Sequence, residues 1–160
     1  MLGPFLRNGY LHRTIRETGG AYGGGASHDA DTASFRFYSY RDPRLAETLK
    51  DFNRSVDWLL GEKHDERLLE EAILNVASGI DKPGSPAGEA RNAFQANLFG
   101  RTAEQRRSFR ERILKVSLDD LIRVGDTYLN QGQASTGIVT SEKSALQDDV
   151  KELGLVQIPL

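Results

Sequence analysis

Arg16 and Tyr22 stand six positions apart at the edge and centre of a glycine run, GGAYGGG, in which five glycines surround one tyrosine. A phenol donates a single hydrogen bond, and a guanidinium offers a fixed fork of donors. Three devices call for so many glycines: a phosphate cradle, a hinge, or a strand that something must approach closely. The cradle fails. Gly19 and Gly24 have its outer spacing, but Gly25 stands where lysine is needed and Ala26 where a hydroxyl is needed. The run also follows a helical pattern and precedes a strand pattern, the reverse of the required order. A hinge leaves the central tyrosine unexplained. A strand of glycines strips away its own side chains, admits another backbone, and presents one phenol on an uncluttered surface. Two plainer readings stand beside this one: Arg16 as a cation favoured at a helix C-terminus, and Tyr22 as a hairpin aromatic.

Other chemistry is sparse. His12, His28 and His64 form no i, i+4 pair, and neither H-E-x-x-H nor H-x-x-E-H occurs. Acids follow His64 in KHDERLLEE, yet the second histidine that zinc would need is absent, and the three read as unrelated polar residues. Cysteine is missing, which removes disulfides, thiol catalysis and thiolate metal sites together. No Ser-His-Asp pattern appears. The chain by itself carries no complete catalytic apparatus and no metal site.

The elements that must position these residues come from 160 residues, one domain's worth, enough to bury close to about 70% of the unfolded surface. Composition is that of a globular chain, 38% hydrophobic and 28% charged, and a net charge of −2 creates no field to gather nucleic acid or an anionic membrane. The basic run RTAEQRRSFRER contains Glu104 and Glu111 and reads as a solvated helix face. Apolar runs fall well short of the roughly 18 residues a membrane span needs. MLGPFLRNGYLH lacks the features of a signal peptide. A soluble, cytoplasmic chain is expected, or one of an organelle matrix if the source is eukaryotic.

Along the chain, residues 2–17 place Leu2, Phe5, Leu6, Tyr10, Leu11 and Ile15 at helical spacing, ended by the glycines. Residues 20–28 and 33–41 read as two strands of an antiparallel hairpin. Phe35, Phe37 and Ser39 lie on one face of the second strand, Arg36, Tyr38 and Tyr40 on the other. HDADT forms the turn. From Arg44 an amphipathic stripe through Leu45, Leu49, Phe52, Val56, Leu59 and Leu60 ends at Gly61. A second stripe runs from Leu68 to Ala77 and is broken by GIDKPGSP. Ser85-Pro86 caps a helix with Ala90, Ala93, Phe94 and Leu98; Thr102 opens another through a capping box, and Ser117 a third through a looser cap of the same type. STGIVT is expected as a strand, SEKSALQDDVKELG as one terminal helix stopped at Gly154, and LVQIPL as an extended end. The order implies an α+β domain, a mostly antiparallel sheet with helices packed on one face.

The stretch YLHRTIRETGGAYGGGASHDADTASFRFYSYRDPRLAETLKDF, with SVDWLL, VSLDDLIRVGDTYL and GIVTSEKSAL after it, resembles the C-terminal half of the presequence-protease branch of the pitrilysin/insulinase zinc metallopeptidases. The resemblance covers nearly the whole chain. It implies a pitrilysin-type α+β domain spanning residues 1–160, without metal, that clamps substrate for a zinc-bearing N-terminal half. By position it assigns the family's substrate-facing arginine and tyrosine to Arg16 and Tyr22, with Arg13 a neighbouring competitor for the arginine. Tyr22 is then the oxyanion donor and Arg16 the ligand of a substrate carbonyl. Gly20, Ala21, Gly23 and Gly24 let a peptide backbone approach. Arg41 and Asp42 match the family's YRDP corner, a structural junction between strand and helix.

Family members are several-fold longer, and this chain enters inside the first helix of the family's last domain. A fragment truncated at its N-terminus is therefore expected, with an unpaired sheet edge open to self-association. Two functions follow: the peptide-clamping, non-metal part of a zinc peptidase that degrades unstructured peptides, or a peptide-binding or assembly module without turnover. The expected partners are an unstructured peptide and the N-terminal catalytic half that holds the zinc; nucleic acid and membrane are not expected.

Overall fold

The computed structural model describes residues 1–130 and 134–158. The first helix starts as α1 (Leu2–Leu6) and continues over Arg7–Thr18 in wider π-type winding. Its buried positions explain the change of pitch. Leu6, Leu11, Ile15 and Gly19 face the core at intervals of five, four and four residues, longer than the about 3.6-residue repeat of an α-helix. The chain then turns into a hairpin, β1 (Gly23–Asp29) and β2 (Ser34–Tyr40), paired antiparallel with Gly24 opposite Ser39 and Ala26 opposite Phe37. The turn forms as its residues imply: the Asp29 carboxylate accepts from the backbone N–H groups of Asp31 and Thr32, which also holds its pKa below the usual aspartate value.

Seven further helices follow among the described residues: α2 (Leu45–Gly61), α3 (Glu66–Asp81), α4 (Pro86–Leu98), α5 (Ala103–Leu114), α6 (Leu118–Tyr128), α7 (Glu142–Ala145) and α8 (Asp148–Lys151). Ser85, Thr102, Ser117 and Ser141 cap their helices, Thr102 and Ser117 through full capping boxes. Asp65 caps α3 by accepting from Arg67 N–H. The core joins Leu2, Phe5, Leu6, Leu11 and Ile15 of the first helix to Ala26 of β1, Leu59, Leu69, Ala72 and Leu121. Gly24 and Ala26 share a face with Phe35 and Phe37, and Phe37 stacks on Phe52 of α2 at 5.3 Å. That face is covered by helix. The opposite face carries Arg36, Tyr38 and Tyr40 to solvent.

The α+β class and the one-sided helical cover hold, but the sheet is smaller than expected. Among the described residues it is the hairpin alone, and residues 135–140 run without strand pairing. A strand needs a partner edge, and β-branched composition does not supply one. The terminal helix divides at Gln147, whose backbone is extended. The break lets Val150 bury while Leu146 stays exposed, although one continuous helix would put both on one face. The stripe of α4 also misleads: no α4 residue is buried, and Phe94 and Leu98 face solvent. Of LVQIPL, residues 155–158 are without regular structure, and Pro159 and Leu160 lie outside the described residues.

Candidate functional site

The helix-to-strand junction carries both Arg16 and Tyr22 on its surface. The helix ends in a glycine cap one residue wider than the usual one, in keeping with its π winding. Ala21 N–H donates to the Ile15 carbonyl at 3.1 Å and Gly20 N–H to that of Arg16 at 3.1 Å. Gly20 makes the turn at φ +80°, a conformation that costs a side-chain-bearing residue strain. Ala21 is then buried in the core, which pins the junction, and the next residue is thrown outward.

That next residue is Tyr22, 68% exposed. Its N–H donates to the Arg41 carbonyl at 3.3 Å. Its ring meets that of Tyr40 edge-on, with centroids 5.9 Å apart at 81°. The Arg41 guanidinium lies 5.7 Å from the Tyr22 centroid and 5.4 Å from that of Tyr40. The phenol is thus accessible, yet supported by aromatic and cationic neighbours. Arg16 is exposed on the last turn of the helix. It donates to Nε2 of His12 at 3.4 Å, and the other ring nitrogen of His12 lies 3.3 Å from a Glu17 carboxylate oxygen. That pairing places the neutral ring's proton on Nδ1. Arg13 is exposed on the same helix.

The glycines divide by what surrounds them. A methyl on Gly24 would lie 2.8 Å from Ile15 Cγ2 and 3.3 Å from the Tyr38 carbonyl, so β1 is bare there because the helix packs on it. A methyl on Gly19 would overlap the Arg44 guanidinium. Gly23 has nothing within 4 Å of its absent side chain and is the open position of the run.

A second set of residues holds this junction from below, and of it sequence reading singled out only Asp42 of the YRDP corner. Arg44 Nη2 donates to the Thr14 carbonyl at 3.2 Å and to Asp51 Oδ2 at 3.2 Å, while Arg54 pairs with the other Asp51 oxygen at 3.1 Å. The bond to Asp51 holds the Arg54 guanidinium above its ordinary pKa, against a smaller opposing effect of desolvation. Asp42 accepts from Arg44 N–H and from the Thr48 hydroxyl. The signal available was the charge density of RDPR followed by Asp51, but nothing in the pattern shows that its target is a helix end earlier in the chain.

The histidines do not converge. His12 sits beside Arg16, His28 is exposed on the hairpin, and His64 packs on Trp58 at 4.4 Å and donates through Nε2 to the Leu59 carbonyl. Among the described residues no three of His, Asp and Glu gather where a metal could be held. No helix among the described residues is long and apolar enough to cross a membrane.

Residues 1–142 match the family model described as PreP C-terminal domain. The chain is similar to the mitochondrial presequence protease of Mus musculus, 38% identical over 142 residues that cover 88% of this chain and 13% of that protein. The mitochondrial presequence protease of Saccharomyces cerevisiae is 43% identical over 131 residues, covering 81% of this chain and 13% of its own length. That of Danio rerio is 39% identical over 138 residues, with 86% and 13% covered. The chain therefore spans about one-eighth of the length of these relatives.

Proposed function

The chain belongs to the PreP C-terminal domain family, and from that premise we propose that it is the peptide-clamping part of a peptidase that degrades unstructured polypeptides. Tyr22 donates its phenolic O–H to the oxygen that becomes anionic as a scissile carbonyl is attacked. Arg16 binds a neighbouring main-chain carbonyl of the same peptide. Gly20, Ala21, Gly23 and Gly24 let that peptide come close, chiefly at Gly23, where the surface is open. The observation that carries the reading is the accessible Tyr22 phenol, fixed at the junction by a buried alanine, within the segment that matches the family model.

The zinc belongs, on this reading, to an N-terminal half that works with residues 1–160 as a single pitrilysin-type unit. The relatives' mitochondrial names support an organelle matrix as the place of action in a eukaryote, and the cytoplasm otherwise. A second reading is a peptide-binding or assembly module without turnover. In that case the unpaired edge of the hairpin is available for self-association.

A chimera separates the two readings. Residues 1–142 replace the matching segment of the Saccharomyces cerevisiae presequence protease, and hydrolysis of an unstructured fluorogenic peptide is followed. The peptidase reading expects turnover, and expects Tyr22→Phe to lower kcat by about 10- to 1000-fold, as for a lost oxyanion donor. Undiminished turnover by the Tyr22→Phe chimera would remove Tyr22 from the chemistry. Should the chimera not fold, titration of the 160-residue chain with the same peptide decides binding. Resonances of Tyr22 and Gly23 that do not move would refute peptide binding at this junction and leave only the assembly module.

A further inference from the structure

Arg41 is the arginine beside the YRDP corner's Asp42, and the framework beneath the junction takes Arg44 and not Arg41. Asp42 accepts from Arg44 and Thr48, and Arg44 reaches Thr14 and Asp51. Arg41 instead points its charge at two rings, and among the described residues no carboxylate pairs with it. Its backbone sits at φ +48°, a left-handed conformation that a residue with a side chain adopts only when its surroundings impose it. Glycine would relieve that strain, and Gly19, Gly20 and Gly23 show that this part of the fold uses glycine freely. An arginine at a glycine-favouring position points to work done by the side chain.

We propose that Arg41 is the positioning residue for Tyr22. Its carbonyl fixes the Tyr22 backbone through the 3.3 Å bond from Tyr22 N–H, and its guanidinium holds the Tyr22 and Tyr40 rings together edge-on. A planar, weakly hydrated guanidinium can lie against two aromatic faces at once while staying partly in water. The phenol is thereby confined to one orientation on the open side of the hairpin, where rotation about its side-chain bonds would otherwise carry it away from a bound peptide. The proposal rests on the reading of Tyr22 as the oxygen-binding donor, and its physical content, the immobilised ring, is measurable without any turnover.

The test uses the 160-residue chain with ring-labelled tyrosine. Arg41→Gly removes the guanidinium and relieves the strained φ, so the variant is expected to fold with thermal stability equal to or above that of the parent. The Tyr22–Tyr40 ring-to-ring nuclear Overhauser contact should nevertheless vanish, and the Tyr22 ring shifts should move to those of free tyrosine. Arg41→Lys keeps a cation and is expected to retain part of the contact. In the chimera, Arg41→Gly should lower kcat by less than about 100-fold with KM unchanged, as for a misplaced catalytic group. An intact Tyr22–Tyr40 contact in Arg41→Gly overturns the proposal whatever the chimera does. Loss of that contact alongside a silent Tyr22→Phe would leave Arg41 as the holder of the ring and refute the function assigned to the phenol.

Discussion

Replacing Gly19 with alanine tests what holds the Arg16–Tyr22 junction in place. A methyl there would overlap the Arg44 guanidinium and lie 2.5 Å from the Ile15 carbonyl, so the guanidinium must leave. Its departure breaks the 3.2 Å pair with Asp51, whose side chain is 3% exposed against 29% for that of Arg44. At this separation an effective dielectric of about 20 gives a gross attraction of about 5 kcal/mol. Desolvation already offsets part of it, and Asp51 keeps Arg54 at 3.1 Å, so the pair's loss should cost about 2–3 kcal/mol. The Thr14 carbonyl also loses its donor, worth about 1 kcal/mol. Alanine restricts the unfolded chain and suits the native φ of −79°, which returns about 0.5–1 kcal/mol. The expected net destabilisation is about 2–3 kcal/mol, read by urea unfolding with an unchanged m-value. In an Arg44→Ala background most of it should disappear, leaving only the clash with the Ile15 carbonyl. A coupling of about 1–3 kcal/mol between the two changes is the signature. An equal cost in both backgrounds would show that Arg44 is not why position 19 is glycine.

Three more outcomes follow from the same structure. Gly9→Ala should push against the ring of Trp58, the sole tryptophan, shifting its emission and costing about 1–3 kcal/mol through overpacking; an unmoved spectrum would contradict the contact. Gly20→Ala should cost about 1–2 kcal/mol through its positive φ and Gly20→Asn less, since a methyl there meets only Pro43 at 3.7 Å; equal costs in urea unfolding would argue against backbone strain. Arg110 donates two guanidinium nitrogens to Asp81, and this holds the Asp81 carboxyl below its ordinary pKa. A depressed carboxylate contributes stability above its unfolded value and loses it as pH falls through the folded one. Arg110→Ala should therefore be less stable than the parent at neutral pH, with the gap closing in acid; a gap independent of pH would refute the assignment.

The elements legible in the sequence are those set by neighbours along the chain. Ser85, Thr102 and Ser117 could be placed as caps because a hydroxyl finds its N–H three residues on. The Asp29 turn and the two faces of β2 are equally local, as is the stripe of α2. The resemblance carried by GGAYGGG and YSYRDP was legible too, and residues 1–142 match the family it named. Tertiary structure alone decided the reasons for the glycines. Gly24 is bare because Ile15 packs on it, and Gly19 because Arg44 crosses it. It also denied residues 135–140 a partner strand, split the last helix so that Val150 could bury, and widened the first helix to a repeat of four to five residues. A cap or a turn closes over a few bonds, whereas a missing side chain is explained only by the atom that fills its place, and chain folding alone brings that atom there.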